Sequence, residues 1–202
     1  MPNNNLIVTS NSKILLSERE KDNGHKAGVF WLTGLSGSGK SSLAYSLESI
    51  LHKKGMKVYV LDGDNIRSGL NSDLDFSDQG RTENIRRIAE VALIMRNAGF
   101  IVITAFISPF KIDRTNAEAI CGDDCFNEIF VNCPLEICEK RDAKGLYKRV
   151  RKGEILHFTG ISSPYDIPEN PKLTIDTNIN SIDRCSETLT DFVISKTTFH
   201  EQ

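Results

Sequence analysis

Short apolar runs alternate along this chain with longer segments in which apolar residues recur at helical spacing. The short runs cover residues 29–33, 58–61, 101–106, 129–131 and 173–175, and continuous runs of this kind are typical of strands buried on both faces. The helical spacing is clearest at residues 43–51, 85–95 and 181–195. Strands that alternate with helices imply right-handed crossovers. The pattern predicts an α/β fold of three layers, with a parallel five-stranded sheet and helices on both faces.

The chain has the length of one domain, 202 residues. Residues 1–25 are mostly polar and aperiodic, so we expect an N-terminal arm there and one domain over residues 26–202. A basic, glycine-punctuated stretch at residues 139–171 is expected to form a lid.

Charge and composition exclude several classes of protein. The chain has 25 Lys+Arg and 27 Asp+Glu, a near balance that argues against nucleic acid as a partner. No run approaches the roughly 20 apolar residues that cross a bilayer, and the start does not resemble an export signal, so no membrane association is expected. The five cysteines are odd in number and lack zinc-knuckle spacing, which favours reduced thiols and a cytoplasmic location.

The loop after the first predicted strand carries the most specific motif. Residues 34–41 read Gly-Leu-Ser-Gly-Ser-Gly-Lys-Ser and fit the phosphate-binding loop G-x-x-x-x-G-K-[ST] in full. A strand enters this motif and a helix leaves it, as phosphate binding at a helix N-terminus requires. Lys40 is expected to bridge the β- and γ-phosphates, and the Ser41 hydroxyl to hold Mg²⁺. The motif predicts a nucleoside triphosphate site in a P-loop NTPase-type fold but leaves the reaction open.

The loop after the second strand places two carboxylates near that site. Asp62 and Asp64 can hold metal-bound water or accept a proton, and Arg67 can pair with phosphate or sulfate. Asp-Gly-Asp-Asn also suits an ordinary turn.

Three further segments are weaker candidates. Arg81 and Asn84 share one face of a predicted helix start, where a solvated face is the alternative. The exit of the third strand, with Ile107 and Ser108, offers a hydroxyl and backbone N–H groups but is nearly as compatible with a plain loop. Residues 139–154 carry seven basic and three acidic side chains, which suits a lid, a solvated helix or a nucleic-acid patch.

Taken together, these motifs resemble the adenylylsulfate kinase family over residues 28–176. The matching segments are 34–42, 61–67, 76–78, 81 with 83–87, 107–109, 141–142, 144–148, 153–155, 158–161 and 164–165. The resemblance implies transfer of the ATP γ-phosphoryl group to the 3′-hydroxyl of adenosine 5′-phosphosulfate (APS), with Mg²⁺ as cofactor. It also implies a homodimer. One alternative is another P-loop kinase of nucleoside monophosphates or small hydroxylated metabolites. The other is a GTP-dependent switch or a nucleic-acid-associated NTPase, against which the chain lacks an Asn-Lys-x-Asp motif.

The resemblance also assigns roles to individual residues. The expected ATP-binding residues are Gly34, Leu35, Ser36, Gly37, Ser38, Gly39, Lys40, Ser41, Ser42 and Arg141. The expected APS-binding residues are Asp64, Arg67, Phe76, Arg81, Asn84, Ile107, Ser108, Lys144 and Phe158, with Phe76 and Phe158 on either side of the adenine. Lys40, Asp62 and Ser108 are the expected catalytic residues, and Ser41 and Asp62 hold Mg²⁺, partly through water.

Two details qualify the match. His157 stands where the family pattern leads us to expect glycine, and Ser162 where aspartate is usual. Ser108 matches a position described in the family as a phosphoserine intermediate, although direct in-line transfer needs only positioning and charge stabilisation.

Overall fold

The computed structural model describes residues 12–199 and contains one five-stranded parallel sheet. The strands are β1 (Gly28–Thr33), β2 (Val58–Asp62), β3 (Ile101–Ala105), β4 (Phe126–Asn132) and β5 (Leu173–Asp176). The helices are α1 (Leu16–Asn23), α2 (Lys40–Lys53), α3 (Gly63–Ser68), α4 (Asp78–Asn97), α5 (Lys111–Cys121), α6 (Leu135–Arg141), α7 (Leu146–Arg151) and α8 (Ile182–Thr197).

The strand order β2-β3-β1-β4-β5 puts β1 at the centre of the sheet. The chain leaves β1 toward β2 and β3 on one side and later continues to β4 and β5 on the other. In open α/β sheets ligands bind at the carboxyl ends of the strands where the order reverses in this way. The loop after β1 therefore lies at the expected binding position.

Alternate residues of β1 supply the two halves of the core. Phe30 and Leu32 face a cluster built with α2 and α8, whereas Val29 and Trp31 face a cluster built with α4 and α5. All six residues of β1 are buried. A strand covered on both faces has no polar alternation, which is why it reads as a continuous apolar run.

The predicted α/β class and all five predicted strands are confirmed, but several helices were not predicted. Short helices α3, α6 and α7 lie where the sequence suggested loops, and α5 follows the exit of β3. Helix α1 lies inside the segment expected to be an aperiodic arm. Its Asn23 side chain donates to Gly99 O across 2.9 Å, which ties this part of the segment to the domain. Residues 1–11 of that segment lie outside the described residues.

No helix between residues 12 and 199 is both long and apolar enough to span a bilayer.

Candidate active site

The phosphate loop needs glycine at specific positions. A Cβ atom on Gly34 would lie 2.5 Å from Val131 O, and one on Gly37 would lie 2.9 Å from Cys138 O. Gly37 and Gly39 also have positive φ angles of 78° and 104°. The loop is thus packed closely against the ends of β4 and α6, in a backbone conformation that side chains disfavour.

Lys40 is buried at the start of α2. Its ammonium donates to the carbonyl oxygens of Gly34 and Leu35 across 2.9 and 2.7 Å. Burial lowers the pKa of Lys40 to about 8, and nearby Lys144 adds to this, while Asp62 and Asp64 act in the opposite direction. A lysine held here within the loop is a cation in a low-dielectric site, where its attraction to phosphate is strong.

Ser41 and Asp62 meet between α2 and β2. The Ser41 hydroxyl donates to Asp62 Oδ2 across 2.7 Å, and Asp62 Oδ1 accepts from the Asp64 N–H across 3.0 Å. Asp62 is the N-cap of α3, and its side chain is buried. Two hard oxygen donors are therefore fixed beside the phosphate loop, and this donor chemistry suits Mg²⁺.

Arg67 and Phe76 form a cation–aromatic pair on the neighbouring side of the cleft. The Arg67 guanidinium lies 4.4 Å from the centre of the Phe76 ring, and it donates to the carbonyl oxygens of Leu74 and Asp75. Burial, together with the adjacent charge of Arg81, lowers the pKa of Arg67. Two cations held this close favour an anionic ligand between them.

Arg81 connects helix α4 to residues 139–171, the segment that the sequence predicts to be a lid. Its Nε donates to Phe76 O across 2.9 Å, Nη1 donates to Thr159 Oγ1 across 2.7 Å, and Nη2 donates to His157 O. His157 has a positive φ of 54°, which explains why glycine suits this position better. Asp64 on α3 pairs with Lys144 and makes a second connection to the predicted lid segment.

Asn84 and Ser108 are held by buried partners. Asn71 Nδ2 donates to Asn84 Oδ1 across 3.0 Å. Trp31 Nε1 donates to Ser108 Oγ across 3.0 Å, and Ser108 is 1% exposed with φ 45°. The Ser108 hydroxyl therefore serves the packing around β1. The neighbouring Ile107 accepts from the Thr33 hydroxyl across 2.7 Å through its carbonyl oxygen.

Two lid residues brace the phosphate loop. The buried Tyr147 hydroxyl donates to Ser36 O across 2.8 Å. Arg141 donates to Gly37 O across 3.3 Å and to Thr177 O across 2.6 Å. Ser42, by contrast, is exposed on the first turn of α2.

The two phenylalanines expected at the adenine differ in environment. Phe76 is 63% exposed, whereas Phe158 is buried and packs edge-on against Tyr147, with ring centres 5.0 Å apart. Phe158 belongs to a small apolar cluster with Cys133, Cys138, Tyr147 and Val150. Only Phe76 offers a freely accessible ring face.

The structure adds residues to which the sequence assigned no role. The Thr177 hydroxyl donates to Ser38 O across 2.7 Å. Thr177 directly follows β5, and residues at the carboxyl ends of parallel strands are candidates for a binding site, so its position was a usable signal. Trp31 and Asn71 gave no such signal, because their partners Ser108 and Asn84 lie 77 and 13 positions away in the sequence.

Comparison with known proteins agrees with this arrangement. A model of the Adenylylsulphate kinase family matches residues 26–176. The adenylyl-sulfate kinase of Prochlorococcus marinus is 58% identical over 181 residues, which are 90% of this chain and 90% of that protein. That of Staphylococcus epidermidis is 51% identical over 187 residues, 93% of this chain and 94% of that protein. The solved structure of the Mycobacterium tuberculosis APS kinase in complex with AMPPNP and APS has 46% identity and a TM-score of 0.80, and covers 83% of this chain and 98% of that chain.

The relatives match most of this chain and most of their own length, and the phosphate loop and lid fall inside the matched segment. The chain therefore belongs to the adenylylsulphate kinase family and is an ATP-dependent kinase with a P-loop fold.

Proposed function

We propose that this protein transfers the γ-phosphoryl group of ATP to the 3′-hydroxyl of APS, giving 3′-phosphoadenosine 5′-phosphosulfate and ADP. The observation that carries the proposal is the close grouping of Arg67, Phe76 and Arg81 in the segment that follows β2. An acceptor with two anionic groups and a purine needs cations beside an aromatic face. The bound AMPPNP and APS of the Mycobacterium tuberculosis relative support the same pair of substrates.

ATP would bind on the phosphate loop. Backbone N–H groups at the N-terminus of α2 favour phosphate oxygens, and Lys40 supplies the central cation. The hydrogen bonds of Arg141 and Tyr147 to Gly37 and Ser36 support a role for the lid in holding this loop in its binding conformation.

Ser41 and Asp62 would hold Mg²⁺, partly through water. Mg²⁺ prefers oxygen ligands and usually keeps several waters beside one or two protein groups and the substrate phosphates. When bound, it would neutralise negative charge on the β- and γ-phosphates.

APS would bind on the other side of the cleft. Arg67 and Arg81 suit its phosphate and sulfate, and the exposed ring of Phe76 suits one face of its adenine. We propose that Asp64, Asn84, Ile107 and Lys144 also contact APS, and that Phe158 would complete the adenine pocket.

The chemistry needs one nucleophile and one proton acceptor. The 3′-oxygen attacks the γ-phosphorus, the bond to the β–γ bridging oxygen breaks, and ADP leaves with that electron pair. Asp62 would accept the hydroxyl proton. We propose direct transfer without a phosphoserine, because the Ser108 hydroxyl is buried and already bonded to the Trp31 indole.

A coupled assay of ADP release with APS, AMP, shikimate and gluconate tests the reaction. Turnover with APS is expected, and turnover only with another acceptor would overturn the proposal. Arg81→Ala should weaken the use of APS more than that of ATP, by roughly 1.5–3 kcal/mol for a lost charge-assisted hydrogen bond. The matched control is Arg86→Ala on the same helix, since Arg86 is exposed and pairs with Glu83.

We also propose a cytoplasmic location. All five cysteines are free and buried, which suits a reducing compartment. The expected homodimer stays a prediction, and light scattering of the purified protein would test it.

A further inference from the structure

Arg114 is a buried cation that ties together two segments at the edge of the site. It is 3% exposed and lies on α5. Nη1 donates to Ser108 O and Pro109 O across 2.8 and 3.3 Å, and Nη2 donates to Asp166 O across 2.8 Å. Its Nε pairs with Glu128 across 2.6 Å. One guanidinium thus joins the exit of β3 to the end of the lid.

The loop at residues 107–109, which we call the acceptor loop, has its carbonyl groups engaged by these contacts. Ile107 O accepts from Thr33, Ser108 O accepts from Arg114, and Pro109 O accepts from the Asp166 N–H across 2.8 Å. Within residues 12–199, the N–H groups of Ile107 and Ser108 donate to no protein acceptor. The loop therefore keeps two adjacent N–H donors for a ligand while its oxygens are held by the protein.

Trp31 holds the same loop from the other side. Its indole N–H donates to Ser108 Oγ, and its ring packs against Phe106 and Phe126, with centres 6.2 and 5.6 Å away. Ser108 keeps a left-handed backbone conformation with φ 45°, which a residue other than glycine adopts only when its surroundings enforce it. Trp31 holds the Ser108 side chain, and Arg114 holds the Ser108 carbonyl group.

We propose that Arg114 and Trp31 are positioning residues that hold the acceptor loop so that its N–H groups meet an anionic group of the acceptor nucleotide. This inference rests on the proposed function. If it is right, both residues affect the binding of APS. A purely structural ion pair between Arg114 and Glu128 would affect only stability.

The test compares Arg114→Lys with Glu128→Gln. Lysine keeps a positive charge beside Glu128 but lacks the fork that reaches both segments. Glu128→Gln removes the charge pair and leaves the donors to Ser108 and Asp166 in place. For Arg114→Lys we expect KM for APS to rise about tenfold, as for the loss of one good hydrogen bond, while KM for ATP stays unchanged. For Glu128→Gln we expect a lower melting temperature and unchanged KM values.

An Arg114→Lys protein that melts cooperatively with unchanged KM for APS would overturn the inference. So would equal increases in both KM values, or a Glu128→Gln protein with the same kinetics as Arg114→Lys. If Arg114→Lys does not fold, Trp31→Phe decides, because it removes the indole N–H without breaking an ion pair. A raised KM for APS supports the inference, and an unchanged one overturns it. Failure of the wild-type enzyme to use APS would instead overturn the proposed function, and this inference with it.

Discussion

The Ser41 hydroxyl donates to Oδ2 of Asp62 across 2.7 Å, so the first turn of α2 and the end of β2 meet at one point. The other carboxylate oxygen of Asp62 caps α3 through the Asp64 N–H. The buried Asp62 carboxylate thus stabilises α3 through Oδ1 and contacts the phosphate-loop residue Ser41 through Oδ2. The two can be separated because they use different oxygen atoms.

Asp62→Asn should separate them. Asparagine is a good N-cap, so α3 and the melting temperature should change little. Loss of the carboxylate should lower kcat by roughly 10²–10⁴-fold, the usual contribution of a positioned proton acceptor. Steady-state kinetics and thermal melts measure the two effects. The control is Asp64→Asn, which lies two residues further on and is exposed, and which we expect to alter KM for APS more than kcat. A near-normal kcat in Asp62→Asn would exclude Asp62 as the base.

Lys40→Met should abolish phosphoryl transfer, because the phosphates lose their central cation. Burial lowers the pKa of Lys40 to about 8, below the 10.5 of a free lysine, so at neutral pH the charged lysine costs the fold free energy. The cost is about 3 kcal/mol. Between these two values the unfolded chain holds more protons than the folded one, so raising the pH stabilises the fold.

The measurement is the free energy of unfolding by denaturant for wild type and Lys40→Met. The wild type should gain stability relative to the variant as pH rises from about 8 to about 10.5, and the difference should be level below that range. Taking the difference removes the contribution of other groups that titrate there. A difference that does not change with pH would contradict the burial of a charged Lys40.

Phe76→Ala should raise KM for APS and leave the melting temperature unchanged. The ring is 63% exposed, so its removal leaves no cavity, while it takes away a stacking face and the partner of Arg67. Phe158→Leu is the informative comparison, because Phe158 is buried against Tyr147 and its truncation should also lower stability. Thermal melts and KM for each substrate distinguish the two. Equal KM for APS in wild type and Phe76→Ala would remove Phe76 from the acceptor site.

Tyr147→Phe should raise KM for ATP more than KM for APS. Its hydroxyl is the donor to Ser36 O, and burial raises the pKa of Tyr147 so that the hydroxyl stays protonated at any working pH. Removing it leaves a carbonyl of the phosphate loop without that partner, which should cost about 1 kcal/mol of stability. Tyr45→Phe is the control, because Tyr45 is exposed and we expect no effect there. An unchanged KM for ATP would show that the lid does not support the phosphate loop through this bond.

The sequence alone determined the α/β class, the five strands and the phosphate loop. These features depend on local patterns: a strand buried on both faces must be continuously apolar, and a loop that presents N–H groups to phosphate needs glycine at set positions. Lys40 and Ser41 follow β1 and Asp62 ends β2, so a parallel sheet puts them at the same carboxyl edge, although β3 lies between these two strands.

Only the tertiary structure decided how the side chains are used. Phe158 and Phe76 look alike in the sequence, yet Phe158 is buried against Tyr147 and Phe76 is exposed. Arg81 read as a ligand-binding residue, and the fold shows that it also bonds to two residues more than 70 positions away. Trp31 read as an ordinary core residue and Arg114 had no role assigned from the sequence, yet both bond to Ser108. Contacts between distant segments depend on how the elements pack, and no local pattern of residue types encodes them.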